Sequence, residues 1–248
     1  MKDHAAARIH EFKDGNEKTW LMYVRDEAMD FSTAASCICN DDYRFRKIAF
    51  DYNTTTGRTN MLTLIDAGAY IGAATVAGLA QGWRAIAIEP VPWNLGLVAA
   101  NIALNEFVIP LDAKVMQMAI GADTLMKFYW CREEELTHRY MGNVTTQQGE
   151  HSAVVKSWPM REYIRIAAHK FRDRDIVIKL DCEGGEWEGF KDIHKGDLDR
   201  VRYITGELHN GDPDVRLPEF MGMLHGQFED YREQFNAVPG HFILRHKP

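Results

Sequence analysis

Cysteine and proline are scarce in this chain, positive charge is not in excess, and no long apolar run occurs. The 248 residues include four cysteines and eight prolines. Cys37, Cys39, Cys131 and Cys182 form no CxxC pair and have no matching histidine spacing for zinc, so neither a disulfide framework nor a structural metal site is expected. They read as reduced thiols in a cytoplasmic protein. Lys and Arg number 29 against 36 Asp and Glu, a formal net charge of −7 that gives a polyanion no broad footprint, so nucleic acid is disfavoured as a substrate. The local exception, Arg161, Arg165, Lys170, Arg172 and Arg174, reads as a solvated helix face. MKDHAAARIHEFKDG has no apolar core of a signal peptide, and Asp66 and several glycines interrupt the most apolar stretch, so no membrane span is expected. Repeats, low-complexity segments and Pro/Ser-rich linkers are also missing. One large α/β domain fits this length.

What is present is concentrated in LTLIDAGAYIGAATVAGLAQGWRAIAIEP, residues 62–90. Leu62 to Ile65 is apolar without a polar break, as a strand buried on both faces of a parallel sheet should be. Asp66 ends it, Gly68 and Gly72 permit close backbone approach, and Ala73 to Gln81 is rich in helix formers. Arg84 to Ile88 is the next strand, with Glu89 at its carboxyl end, where a carboxylate about 20 residues past a glycine turn accepts ribose hydroxyls. The pattern is DxGxxxG, not the GxGxxG that seats a pyrophosphate on a helix N-terminus. A cofactor with ribose and adenine but no phosphate, and with cationic sulfonium and amino groups, suits an acid at this turn: S-adenosylmethionine. The bland alternative is a helix-capping Asp66 and a merely tight βα turn.

Residues 1–60 read as a helical and irregular cap, with helices near Phe31–Cys39 and Asp41–Ala49, ahead of a catalytic domain at 61–248. Trp93 to Asn105 is helical, Ala113–Met118 a third strand, Asp175–Leu180 a fourth ending in Asp181, and Val201–Gly206 a fifth leading to Glu207 and His209. Phe228–Glu233 and His241–His246 read as a terminal antiparallel hairpin. More than fifty residues separate strands three and four, so an insertion at about 122–174 is expected. Within it Met126–Cys131 and Ala153–Ser157 can pair, and Thr137–Glu150 reads as a mobile loop over a substrate or a surface excursion without function. Trp83, Trp93 and Trp187 read as aromatics that pack helices onto the sheet.

IDAGAYIG, IEPVPWNLGLVAANIALN, IKLDCEGGEWEGF and GELHN, in that order, resemble the FkbM-type family of S-adenosylmethionine-dependent methyltransferases over about residues 60–210. Asp30 and Tyr43 also look like family positions. The resemblance implies an α/β class I methyltransferase Rossmann-like fold: a mostly parallel seven-stranded sheet, helices on both faces, and O-methyl transfer to a hydroxyl of a small molecule or sugar. It places Asp66, Ala67, Gly68, Ala69, Tyr70, Gly72, Glu89, Pro90 and Asp181 around the cofactor, and Asp181 and Glu183 beside the transferred methyl. Ala67 and Tyr70 depart from the Val and Asn of the pattern; a phenol replaces only part of what an Asn amide offers a cofactor carboxylate.

An alcohol needs a base as its C–O bond forms, and His209, with Glu207 to orient it, is the expected one, an exposed loop histidine being the alternative. Asp181, Glu183 and Glu186 need a cationic answer: the cofactor, Lys179, or a divalent metal held with Glu207, in that order. Glu186 is equally a helix-dipole residue. Tyr43, Tyr70 or Tyr140 is expected to line the acceptor pocket. No metal is assigned. Two other readings stay open: a catalytically silent S-adenosylmethionine-binding module, and a nicotinamide-dependent oxidoreductase, which the missing GxGxxG disfavours. The absent Asp/Asn-Pro-Pro-aromatic motif disfavours an amine acceptor.

Overall fold

The computed structural model describes residues 7–26, 29–109, 111–130, 151–209 and 211–248. Where the sequence suggests a helical and irregular beginning, the chain forms an antiparallel hairpin, β1 (Ala7–Lys13) and β2 (Thr19–Arg25). The period of two is visible in β2: Trp20, Met22 and Val24 are buried while Leu21, Tyr23 and Arg25 are partly exposed. Helix α1 (Asp30–Ala34) runs into a π-helical segment, Ala35–Asn40. Asp41 and Arg44 then take left-handed backbone conformations, which is why helix α2 starts at Phe45 and not at Asp41, and ends at Thr56.

The sheet follows from the apolar runs. In chain order its strands and neighbouring helices are β3 (Leu62–Ala67), α3 (Ala73–Ala80), β4 (Arg84–Ile88), α4 (Pro92–Leu104) and β5 (Ala113–Met116). Next come β6 (Ala119–Ile120), β7 (Thr124–Trp130), β8 (His151–Trp158), α5 (Met160–Lys170), β9 (Asp175–Leu180) and α6 (Gly185–Phe190). β10 (Val201–Glu207), α7 (Pro213–Met223), β11 (Phe228–Asp230), α8 (Arg232–Phe235) and β12 (His241–His246) complete it. The order across the main sheet is β11-β12-β10-β9-β3-β4-β5, seven strands in which β12 alone runs against its neighbours. The expected terminal hairpin is present, shortened on its first arm because Arg232–Phe235 coils into a helical turn.

Each central strand is apolar on both sides because both sides are covered. Leu62 and Leu64 face α2, α3 and α4, while Ile65 and Ala67 face the layer of α5, α6 and α7. β3 neighbours β4 on one side and β9 on the other, so the chain reverses its direction of winding there; the carboxyl ends of β3, β4, β9 and β10 open onto that crevice. The insertion contributes β7 and β8, which pair antiparallel beside β6 in a separate three-stranded sheet. The expected loop Thr137–Glu150, Tyr140 and Cys131 lie outside the described residues.

Two other expectations change. Trp83 is buried against Phe45 and Trp187 stacks edge-on to Phe220, but Trp93 is 43 % exposed at the start of α4 and is no core residue. The basic run is not one solvated face either, because Arg174 turns its guanidinium to the carbonyls of Asn60 and Leu62. Among the described residues no helix is long and apolar enough to cross a membrane.

Candidate active site at the strand tips

The turn after β3 is built to bring two strand ends together. Gly68 has φ +78°, and a Cβ there would stand 1.8 Å from the Asp181 carbonyl oxygen, so only glycine lets β3 and β9 close at this point. The N–H groups of Gly68 and Ala69 donate to the Ile88 carbonyl at 3.1 and 3.0 Å. Gly72 (φ +84°) performs the parallel task against α4, where a Cβ would lie 3.1 Å from Val98 Cα. Tyr70 occupies the left-handed region without being glycine, at φ +51°. Asn tolerates that region better, a physical reason for the usual residue there.

Glu89 is 4 % exposed and closes the turn from the β4 side. Its Oε2 accepts the Tyr70 N–H at 2.8 Å, and its Oε1 accepts from Val91 N at 2.9 Å and Asn94 Nδ2 at 3.3 Å. Burial pushes its carboxyl up to about 7, against the pull of those three donors. Oε2 holds a second lone pair, so the group can serve the turn and a ribose hydroxyl together. Pro90 follows directly and starts the bend into α4.

Asp66 is completely buried. Thr75 Oγ1 donates to its Oδ2 at 2.5 Å, and Lys179 Nζ stands 3.3 Å from its Oδ1. Lys179, itself 2 % exposed, is the hub of this region. Its ammonium donates to the Gly68 carbonyl at 2.7 Å and lies 3.5 Å from Asp181 Oδ2 and 5.2 Å from the Tyr43 ring centre. Burial disfavours its charge, but Asp66 and Asp181 more than reverse that, so it stays protonated. Of the cations expected to answer the acids, the chain's own Lys179 takes Asp66 and half of Asp181. A lysine inside the apolar strand DIVIKL was the visible signal.

Asp181 divides its two oxygens. Oδ2 accepts the Tyr43 hydroxyl at 2.8 Å as well as facing Lys179; Oδ1 lies 3.8 Å from His209 Nε2. Tyr43 therefore reaches the site from the cap, and the cap position Asp30 acts elsewhere, gripping Arg25. Glu183, at φ +56°, stands 3.6 Å from the same Nε2.

The residue that orients His209 is Glu186 and not, as expected, Glu207. Fully buried Glu186 accepts from Cys182 N at 3.0 Å, Gly184 N at 2.8 Å and His209 Nδ1 at 2.9 Å. It thus satisfies the backbone at the start of α6 and aims the imidazole, so both readings of it hold. Glu207 pairs instead with His241, whose Nε2 β12 brings within 3.3 Å of it. Burial lowers the basicity of His209, but the Glu186 hydrogen bond and the charges of Glu183, Glu186 and Asp181 outweigh that and raise it to about 9. Burial, with the neighbouring acids Asp181, Glu186 and Glu207, lifts Glu183 to about 7 despite His209.

Around this crevice stand Asp66, Glu89, Asp181, Glu183, Glu186 and Glu207, with Lys179 and His209 as the facing cations. A phosphate-linked cofactor would meet carboxylates on every side, whereas a sulfonium with ribose hydroxyls finds partners. Asp181, Glu207 and His209 also offer one ligand atom each within 4.8 Å of one another, an arrangement compatible with a metal ion.

Among solved structures the chain is similar to a SAM-dependent methyltransferase from Agrobacterium tumefaciens, at 8 % identity, covering 100 % of this chain and 72 % of that one, with a TM-score of 0.47. It is similar to a candidate SAM-dependent methyltransferase from Streptococcus mutans (10 % identity, 98 % and 56 % covered, TM-score 0.44), so it spans little more than half of that protein. A ribosomal protein L11 methylase from Lactobacillus delbrueckii subsp. bulgaricus is a third (11 %, 83 % and 79 %, 0.42). No curated protein matches. The model of the methyltransferase FkbM domain matches residues 66–236, most of the chain and nearly all of the crevice described above, and the protein belongs to that S-adenosylmethionine-dependent family.

Proposed function

We propose that the protein transfers a methyl group to a hydroxyl of a small molecule or sugar, with His209 receiving the hydroxyl proton. The observation that carries this is the imidazole itself: Nδ1 is tied to Glu186, leaving Nε2 directed at the tips where Asp181 and Glu183 stand. When bound, S-adenosylmethionine supplies an electrophilic methyl whose C–S electrons return to sulfur as the acceptor oxygen bonds to carbon. The chain's part is alignment and proton handling.

Glu89 would hold the ribose, the Gly68 turn would let the nucleoside approach backbone, and Asp181 and Glu183 would face the cationic end. Glu183, Glu186 and Asp181 hold a proton on His209. A cationic cofactor beside Asp181 and Glu183 would weaken that hold, so that the imidazolium would lose its proton to solvent and Nε2 would be open to take up the hydroxyl proton. Glu186 keeps the ring oriented throughout. The acid-lined crevice and the net charge of −7 favour a neutral or cationic acceptor over a nucleic acid.

The test is a screen of hydroxylated metabolites and sugars, with RNA as a comparison, for a methyl mass gain, followed by NMR location of the methyl. A methyl on oxygen of a small acceptor supports the proposal. Transfer to nitrogen or only to RNA would overturn it.

A further inference from the structure

Glu207 is the most open acid at the tips. Its side chain is 39 % exposed, against 17 % for Asp181 and Glu183 and none for Glu186. Apart from His241, no described residue forms an ion pair or hydrogen bond with its carboxylate. It still offers an atom within 4.8 Å of atoms of both Asp181 and His209, so it borders the place where the His209 imidazole meets a hydroxyl. We propose that Glu207, held in place by His241, binds the acceptor through the hydroxyl next to the one that is methylated, which makes the acceptor a vicinal diol of the kind sugars carry.

The ladder between β10 and β12 positions the pair. His241 stands directly opposite Glu207 there, and directly opposed residues of an antiparallel pair put their side chains on the same face. This brings Nε2 to 3.3 Å from Oε1. Nδ1 of the same ring is buried and has no partner among the described residues, so a neutral imidazole carries its proton on Nε2, toward Glu207. The ring is fixed from another side as well: Tyr43 meets it edge-on with centres 5.2 Å apart, and the Tyr43 hydroxyl is itself held by Asp181 at 2.8 Å. Glu207 and Asp181 are thus braced through two rings. His241 lies beyond the stretch 66–236 that the family model matches, so this brace is supplied by the chain's last strand.

With His241 at Oε1, Oε2 and the remaining lone pairs of an ionised carboxylate can only accept hydrogen bonds. Two hydroxyls on neighbouring carbons, each donating over about 2.8 Å, span acceptors as close together as Glu207 and His209. The hydroxyl facing His209 gives up its proton there as its oxygen takes the methyl, and the C–S pair stays with the donor sulfur. Its neighbour keeps its proton, donated to Glu207. A single alcohol leaves that carboxylate to water alone.

This assignment rests on the O-methyl reading, so the experiment separates the two. The full chain, Glu207→Gln, His241→Leu and His241→Gln are assayed with vicinal cyclohexanediols and methyl hexopyranosides, each beside the counterpart that lacks the hydroxyl next to the methylated one. Calorimetry with S-adenosylhomocysteine reports that each variant is folded. Glu207→Gln should raise KM for the diols about tenfold to a hundredfold, the range of a hydrogen bond to a charged group, with kcat little changed and KM for the single alcohols unmoved. His241→Leu should move the diol KM in the same direction by less, and His241→Gln, whose amide again presents an N–H to the carboxylate, should restore it. Equal effects on diols and single alcohols would overturn the assignment, since the pair would then only brace β12 against the tips. So would no effect on either, or single alcohols that turn over as well as diols in the unaltered chain. If the unaltered chain puts no methyl on the oxygen of any of these compounds, the O-methyl reading falls and this assignment with it.

Discussion

The glycine turn after β3 and the tips of β9 and β10 are both lined with acids, but they are finished to different degrees. At the turn every carboxylate has its partners within the chain: Asp66 has Thr75 and Lys179, and Glu89 has two backbone N–H groups and Asn94. At the tips Asp181, Glu183, Glu186 and Glu207 share His209, His241 and part of Lys179. The first region is a rigid seat that exists before any ligand arrives. The second is short of positive charge, and its acids raise the His209 imidazole to about 9 against burial, while burial, with those acids added, lifts Glu183 to about 7. On the proposed reading, the preorganised seat and the acid-rich ground for a cationic methyl donor lie on adjacent strand ends.

The contrast is broken most severely by removing the proposed base. His209→Asn should lower kcat by about 10²- to 10⁴-fold, the usual worth of a positioned base, while S-adenosylhomocysteine binding stays nearly unchanged. Equal loss of both, read by steady-state rates and calorimetry, would put His209 on the seat side. Next comes Lys179→Met, which strands Asp66 in the interior; a destabilisation of about 3–5 kcal/mol is expected in denaturant unfolding, the cost of breaking a buried ion pair. A wild-type midpoint for this variant would refute Lys179 as the hub.

A smaller effect is carried by pH. Glu183 has its folded value raised from 4.5 to about 7, so the folded state binds its proton more tightly and stability falls as pH rises between those values. His209 is raised from 6.5 to about 9; its contribution is complete below 6.5 and is lost as pH climbs through 9. Unfolding midpoints across pH 4.5 to 9 should therefore drift downward from this cluster. Glu183→Gln should flatten the acidic limb and His209→Asn the alkaline one, and an unaltered profile in both would contradict the electrostatic account. The smallest expected effect is that of a chelator: with the donor supplying the cation, EDTA should leave turnover unchanged. A strict requirement for Mg²⁺ would instead make Asp181, Glu207 and His209 ligands.

The same contrast governs what could be read from residues alone. The seat is local: strand, glycine bend, helix, strand and Glu89 follow one another within thirty residues, and each step obeys backbone preferences that a sequence displays. The tips are assembled from distant segments. Glu186 orients His209 across 23 residues of chain, and the choice between it and Glu207 depends on β12 presenting His241, a pairing no motif announces. The N-terminal hairpin was obscured because only one face of β2 is buried and charged residues flank it. Asn94, Asn101 and Asn105 recur on one helix face at spacings of seven and four, which was a readable hint; that they bolt α4 to Glu89, the turn and the hairpin needed the fold.

The most direct test of the seat is a calorimetric comparison of S-adenosylhomocysteine with NAD on the unaltered protein. One S-adenosylhomocysteine site per chain and no heat from NAD are expected. NAD binding with S-adenosylhomocysteine silent would contradict the account at its root.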